Sequence, residues 1–324
     1  MKTSISTLTL MHISKSQGDT ALADRSRHCY NLLLKQIFGL KELKDPTDLI
    51  RTGMILALYE TYNPIPDQEN AWPIHVEAAY NLMTSSHTPK EHLLNEHDLR
   101  RLYTTEFLRI WINDLVIIPQ IPHSTWSSMG IFDELLELLF NATKSLYDYR
   151  IKKKMKSCDL TSIENMLAIT RNIETQLFDW YSQLQLKNGD SLFAIQEQSS
   201  SPQADAHIHQ SVLIFTNTST IPLLLLYWLG LVIIYNFMFE ALDSLAYWRS
   251  PQTTRYLQHK MNDTDALCCH YSDLIAQCQA SVTTGGGLGN YIFAMATFSA
   301  AQNVKFKRKR ATHNSALEIP ELHS

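Results

Sequence analysis

The 324 residues carry 45% hydrophobic and 19% charged side chains, which excludes a disordered chain and leaves enough apolar material for a substantial core. A net charge of −4 excludes a global attraction for nucleic acid, so any DNA contact would fall to a local patch or a partner. The odd number of cysteines (Cys29, Cys158, Cys268, Cys269, Cys278) argues for free thiols in a reducing compartment.

With only 10 Gly and 11 Pro to interrupt it, the chain favours long helices. Residues 1–19 are Ser/Thr-rich, have too few consecutive apolar residues for a secretory signal, and are expected to be loose. A helical run with Leu22, Cys29, Leu33, Gln36 and Ile37 follows, closing at Gly39 as a C-cap. Asp45-Pro46-Thr47-Asp48 then opens a helix: Asp45 caps, Pro46 suits the first helical position, and Asp48 favours the positive end of the dipole. Leu49, Gly53, Leu56 and Tyr59 share one face of it before Asn63-Pro64-Ile65-Pro66-Asp67 ends it. The next helix starts near Gln68 and places Trp72, Val76, Ala79 and Met83 three and four apart.

Thr84 to His97 reads as a loop, and Leu99, Leu102, Tyr103, Phe107, Ile110 and Trp111 as a further helix reaching Pro119. Ile131, Leu135, Leu138, Leu139, Ala142 and Leu146 form another stripe, after which Arg150 to Lys156 reads as a solvated basic end. Thr161 and Glu164 have capping-box spacing in front of Ile163, Leu167, Ile173, Leu177, Trp180 and Leu184. The segment 187–210 has the composition of an exposed linker. Three helices follow: a very apolar one from about Ser211 to Trp248, one from Thr254 to Val282, and one from Asn290 to Val304. No segment alternates over a strand's length, so the expectation is an all-α fold, a large multi-helix bundle of long amphipathic and buried helices. It would occupy residues 20–304, between a loose 1–19 and a polar, basic tail at 305–324.

Several apparent sites carry little chemistry. Ile221 to Phe239 has no charged residue and passes the length test for a membrane span, but a helix buried on all sides in a bundle is the stronger account. Gly285-Gly286-Gly287-Leu288-Gly289 lacks the Lys-Ser or Lys-Thr of a phosphate loop and reads as a turn between helices. Cys268 and Cys269 diverge by about 100° on a helix, so with His270 and Cys278 they are read as packing residues, not a zinc cluster. His92 to His97 misses a zinc-protease spacing by one residue. Asn262-Asp263-Thr264-Asp265 lacks the facing second motif of a magnesium site and reads as a helix cap. No catalytic residues, metal or cofactor are expected, and the chain is read as not an enzyme. Lys305, Lys307, Arg308, Lys309 and Arg310 form the densest basic cluster, equally a nuclear localisation signal or a solvated helix end.

One arrangement says more. Trp72-Pro73-Ile74-His75-Val76-Glu77-Ala78-Ala79-Tyr80-Asn81-Leu82-Met83 resembles the Trp-x-x-His-x-x-Gly-Ala-x-x-Leu-Leu helix of the fungal-specific transcription factor regulatory domain, the middle homology region of zinc-cluster transcription factors. Leu177-x-x-Trp180 and Leu226-Tyr227-Trp228 resemble later motifs of the same domain, and the resemblance runs from about Asp24 to Val304. It assigns Trp72, His75, Ala78, Ala79, Leu82, Leu177, Trp180, Tyr227 and Trp228 to the domain's packed core.

The resemblance implies a nuclear regulator of transcription that acts by protein–protein contact and controls a metabolic gene cluster. Its partners would be a second copy or a zinc-cluster transcription factor, with a small-molecule effector between its helices. The family's DNA reader needs six cysteines, and no Cys-x-x-Cys pair occurs here, so neither zinc nor direct sequence-specific DNA binding is expected. Three alternatives stay open: a protein tethered to a membrane by 221–239, a helical enzyme, and the truncated product of a gene for a full zinc-cluster factor.

Overall fold

A computed structural model describes residues 2–39, 46–63, 72–85, 104, 107, 130–154, 159–189, 191–197, 211–247, 251–285, 297 and 300–302. The chain forms two compact units, Met1–Leu115 with Pro119–Ser127, and Val116–Ile118 with Ser128–Ser324. The fold is all-α; the one sheet among the described residues is a two-stranded hairpin.

The N-terminal unit holds α1 (Lys2–Gln17), α2 (Thr20–Gly39), α3 (Pro46–Tyr62) and α4 (Trp72–Ser85). The first of these corrects the expected loose segment at 1–19. Ser4, Thr7, Met11 and Ser14 recur at helical spacing and are buried, although only one of the four is a large apolar residue. Hydroxyls satisfy themselves along the helix: Thr7 Oγ1 donates to the Thr3 carbonyl at 2.8 Å and Thr9 Oγ1 to the Ile5 carbonyl at 2.9 Å. Small side chains let α2 approach closely, and Ser26 Oγ on α2 donates to the Thr7 carbonyl at 2.7 Å. Between the two helices Gly18 adopts φ 67°, and Asp19 caps α2 by accepting from Ala21 N at 2.9 Å and Leu22 N at 3.1 Å. Pro46 and Asp48 stand in the first turn of α3 as expected. Gly39 lies within α2, and α4 is described from Trp72 onward. Residues 40–45 and 64–71 lie outside the described residues.

The C-terminal unit is built from α5 (Ile131–Lys154), α6 (Leu160–Asn188), the hairpin β1 (Phe193–Glu197) and β2 (Ser211–Phe215), a 3-10 turn at Thr218–Thr220, α7 (Ile221–Tyr247) and α8 (Pro251–Gly285). Asp159, not Thr161, caps α6, accepting from Ser162 N at 2.8 Å, and Gly189 at φ 93° ends it in a conformation that favours glycine. The hairpin replaces part of the linker expected at 187–210, and it shortens the apolar helix, which starts at Ile221 and not at Ser211. Phe193 pairs with Phe215 and Ile195 with Leu213 across the antiparallel ladder. Residues 198–210 lie outside the described residues. Asp263 and Asp265 fall in the middle of α8, so neither caps a helix.

Helix α7 is the centre of this unit: α5, α6 and α8 all pack on it, and its side chains are buried continuously from Leu224 to Phe237. It is the one described helix long and apolar enough to cross a membrane, with mean hydropathy 2.0, and 89% of that apolar window is buried against the rest of the protein. Gly230 brings it close to α5, since a Cβ there would lie 2.5 Å from Leu139 Cδ2. Residues of the helix expected from Asn290 to Val304 are described only at Thr297, Ala300, Ala301 and Gln302.

Candidate functional site

In the N-terminal unit, the Trp-x-x-His helix packs on α3 through Gly53. A Cβ at that position would meet the His75 carbonyl oxygen at 3.2 Å and Ala79 Cβ at 3.3 Å. Val76 and Ala79 are buried there, Leu82 is half-buried, and Ala78, expected in the core, is exposed on the outer side of α4. The Trp72 side chain lies outside the described residues.

His75 has a polar partner instead of an apolar one. Its Nε2 is 3.0 Å from Glu60 Oε1 and 3.2 Å from the Tyr30 hydroxyl, which also donates to Glu60. Glu60 is 5% exposed, and its Oε2 has no hydrogen-bond partner among the described residues. Tyr30 stacks on Tyr59 at 4.7 Å, so one carboxylate ties α2, α3 and α4 together. His75 is thus half-buried and held by hydrogen bonds to α2 and α3.

In the C-terminal unit, Leu177, Trp180, Tyr227 and Trp228 are all buried. Trp180 Nε1 donates to the Ile131 carbonyl at 2.7 Å, and its ring lies 5.7 Å from Tyr227. Adjacent residues on a helix diverge by about 100°, and Trp228 accordingly turns to the hairpin, meeting Phe193 edge-on at 5.4 Å. Tyr227 turns the other way, into the seam where α6 and α8 flank α7.

That seam holds a group of polar aromatic side chains around one carboxylate. Tyr181 of α6 stacks on Tyr227 at 4.8 Å, Tyr271 of α8 stacks on Tyr235 at 5.9 Å, and Tyr227 meets Tyr271 edge-on at 6.5 Å. Glu174 of α6 accepts a hydrogen bond from the Tyr235 hydroxyl at 2.6 Å. Tyr227 and Tyr235 form the buried floor, while Glu174, Tyr181 and Tyr271 are half-buried along the rims. Desolvation raises the pKa of all four phenols, and the Glu174 charge pushes Tyr227, Tyr235 and Tyr271 higher still. All four therefore remain neutral hydrogen-bonding groups at physiological pH.

A second polar point lies further along α7. Asn236, 1% exposed, donates from Nδ2 to Glu240 Oε1 at 3.0 Å. Arg150 approaches the same carboxylate at 3.7 Å and lies 4.5 Å over the Phe237 ring, with Lys153 at 3.8 Å. Arg150 is therefore part of the packing and not the solvated end that its sequence context suggested.

Cys268 and Cys278 are buried, and burial pushes the Cys278 thiol up to about 12, while Cys29 and Cys269 are partly exposed and Cys158 lies outside the described residues. No group of three metal-ligating side chains occurs among the described residues. The basic cluster Lys305, Lys307, Arg308, Lys309 and Arg310, the histidines at 92 and 97, and Gly286 to Gly289 lie outside the described residues.

Sequence reasoning missed Tyr30, Glu60, Glu174, Tyr181, Tyr235 and Tyr271. Glu174 and Tyr181 are seven residues apart on one side of α6, a spacing that could have marked them as neighbours. Comparison with protein-family models, curated proteins and solved structures gives no match.

Proposed function

We propose that this chain is an all-α regulatory domain of transcription that acts by protein–protein contact, reads no DNA itself, and answers to a small-molecule effector. One observation carries the reading. Trp180 and Tyr227, which belong to two separate motifs of the fungal-domain resemblance, lie 47 positions apart in sequence and meet at 5.7 Å across α6 and α7. Residues that the resemblance assigns to separate motifs thus share one interhelical core, as parts of a single domain pattern should. Lys305 to Arg310 would carry the chain to the nucleus, and its partner would be a second copy or a zinc-cluster factor.

The test is to tether the full chain to a heterologous DNA-binding domain in cells and read a reporter gene. A change in reporter output that requires the chain supports the proposal; unchanged output sinks it. The second reading, a membrane tether, rests on the length and hydropathy of Thr218–Tyr247. Extraction of cell membranes with alkaline carbonate separates the two. Release into the supernatant is expected from a helix buried in its own protein, and retention in the pellet would replace the regulatory reading with the tether.

A further inference from the structure

We infer that the outer edge of β1 is where a second copy of this chain docks: two β1 strands pair antiparallel about a two-fold axis at Ile195 and join two hairpins into one sheet. The inference rests on the regulatory reading in taking a second copy as the partner, a choice that the register of the strand supports independently.

The ladder fixes which backbone groups are free. Thr216 N donates to the Leu192 carbonyl at 3.1 Å, and these two residues continue the register in which Phe193 faces Phe215. In an antiparallel pair, residues that exchange bonds alternate with residues whose N–H and C=O point away. Ala194 and Gln196 therefore bond to β2, while Phe193, Ile195 and Glu197 turn their backbone groups outward. Leu213 of β2 turns outward on the opposite side, and its N–H donates to Ser281 Oγ of α8 at 3.0 Å, so the edge of β2 meets a helix. The edge of β1 has no such cover. The Phe193 carbonyl takes the Ser191 hydroxyl at 3.1 Å, and no described residue bonds the outward groups of Ile195 or Glu197.

Natural edge strands are commonly blunted by Lys, Pro or a bulge. β1 reads Phe-Ala-Ile-Gln-Glu with a continuous register, and Ile195 is 55% exposed although Leu213 opposite it is buried. A two-stranded sheet is also marginal by itself and gains from a further strand. The same pattern selects the occupant. Ile195 is the central residue of the strand, so antiparallel pairing there brings the outward-facing residues of each copy onto those of the other. Ile195 faces the second copy's Ile195, Phe193 faces Glu197, and Ala194 faces Gln196. The strand's one charged side chain meets no like charge, and each exposed Ile195 is covered by its twin. Such an edge is self-complementary, as a two-fold interface must be. The contact is short, so the dimer is weak, with a dissociation constant on the order of 10 µM.

Sedimentation equilibrium of the full-length chain from about 1 to 100 µM tests this, and a monomer–dimer equilibrium is expected. Ile195→Pro removes the outward N–H without touching the ladder to β2, a change that an edge strand tolerates. It is expected to weaken dimerisation about tenfold or more with helix content unchanged. Ile195→Lys and Ile195→Glu each set like charges face to face, so each is expected to be monomeric alone. An equal mixture of the two is expected to regain the dimer, because unlike charges then face one another. This pair keeps the test decisive if the Pro variant fails to fold. A chain monomeric throughout that range would overturn the inference and leave the edge to a strand of another protein or to none. A dimer undiminished in a folded Ile195 variant, or a mixture no more dimeric than its parts, would overturn it too. A dimer that leaves the reporter unchanged would uphold the edge and sink the regulatory reading alone; a monomer that changes the reporter would do the reverse.

Discussion

The Tyr235 hydroxyl donates to Glu174 Oε1 across 2.6 Å, joining a helix with no charged residue between Ile221 and Phe239 to the half-buried carboxylate of its neighbour. An apolar helix gives little angular preference to its packing, because a leucine-rich surface fits another in many registers. A single short hydrogen bond to a charged acceptor does discriminate, since it forms at one rotation of α7 about its axis. Tyr235→Phe keeps the ring and its stack on Tyr271 while removing that bond. A loss of about 1–2 kcal/mol is expected, at the lower side for a charged acceptor because Glu174 regains water. Urea unfolding measures it, and an unchanged midpoint would mean that the bond contributes nothing net.

Alkali should reveal the desolvated phenols of both units. Tyr59, Tyr181, Tyr227, Tyr235 and Tyr271 all have phenol pKa values raised in the folded protein, chiefly by desolvation, above the ordinary value of about 10. The unfolded chain therefore loses these protons first as pH rises. The stability that these groups contribute is complete below pH about 10 and falls as pH climbs from there toward the raised values. Absorbance titration near the phenolate band should show these tyrosines ionising late, together with loss of helix. A full phenolate signal from all 14 tyrosines while the helix content is intact would contradict this.

Gly53 tests the contact between the two motif helices. An added Cβ would sit 3.2 Å from the His75 carbonyl and 3.3 Å from Ala79 Cβ, so the backbones must part by a few tenths of an ångström. Alanine gains up to about 1 kcal/mol in helix propensity, which offsets this crowding and keeps Gly53→Ala within about 1 kcal/mol of the native protein. Gly53→Leu has no such compensation and should lose about 2 kcal/mol or more through overpacking. Coincident denaturation curves for all three proteins would mean that α3 and α4 are not closely packed.

Thiol labelling checks the burial pattern. Cys278 is buried with its thiol pushed up to about 12, and Cys268 is buried with Sγ 3.8 Å from the Val232 carbonyl. Cys29 and Cys269 are partly exposed. At pH 8 a maleimide should modify Cys29 and Cys269 in the folded protein well before Cys268 and Cys278, with peptide mass spectrometry locating the label. Modification of Cys278 at the rate of Cys29 would refute the arrangement.

Local sequence was enough to place most helices, because apolar residues three and four apart mark a face that must be buried. The stripe from Ile163 through Leu177 to Leu184 is an example, and all of it is buried in α6. The same rule failed at α1, where three of the four buried positions are Ser4, Thr7 and Ser14: Thr7 pairs with the Thr3 carbonyl of its own helix and Ser14 with the Asp19 carbonyl just beyond it, so neither needs an apolar side chain. It also failed at the hairpin, whose strands are five residues each and owe their pairing to each other rather than to an alternating pattern.

What the sequence by itself determined is the all-α class and the central apolar helix, because hydrophobic periodicity and the cost of exposing large apolar side chains are local properties. What only the tertiary structure decided is which polar groups meet. Glu174, Tyr181, Tyr227, Tyr235 and Tyr271 come from three helices, and Tyr30, Glu60 and His75 from three others. Their encounter depends on how each helix is rotated and how far it has slid along its neighbour, quantities set by side chains interlocking across helices and carried by no single segment of the chain.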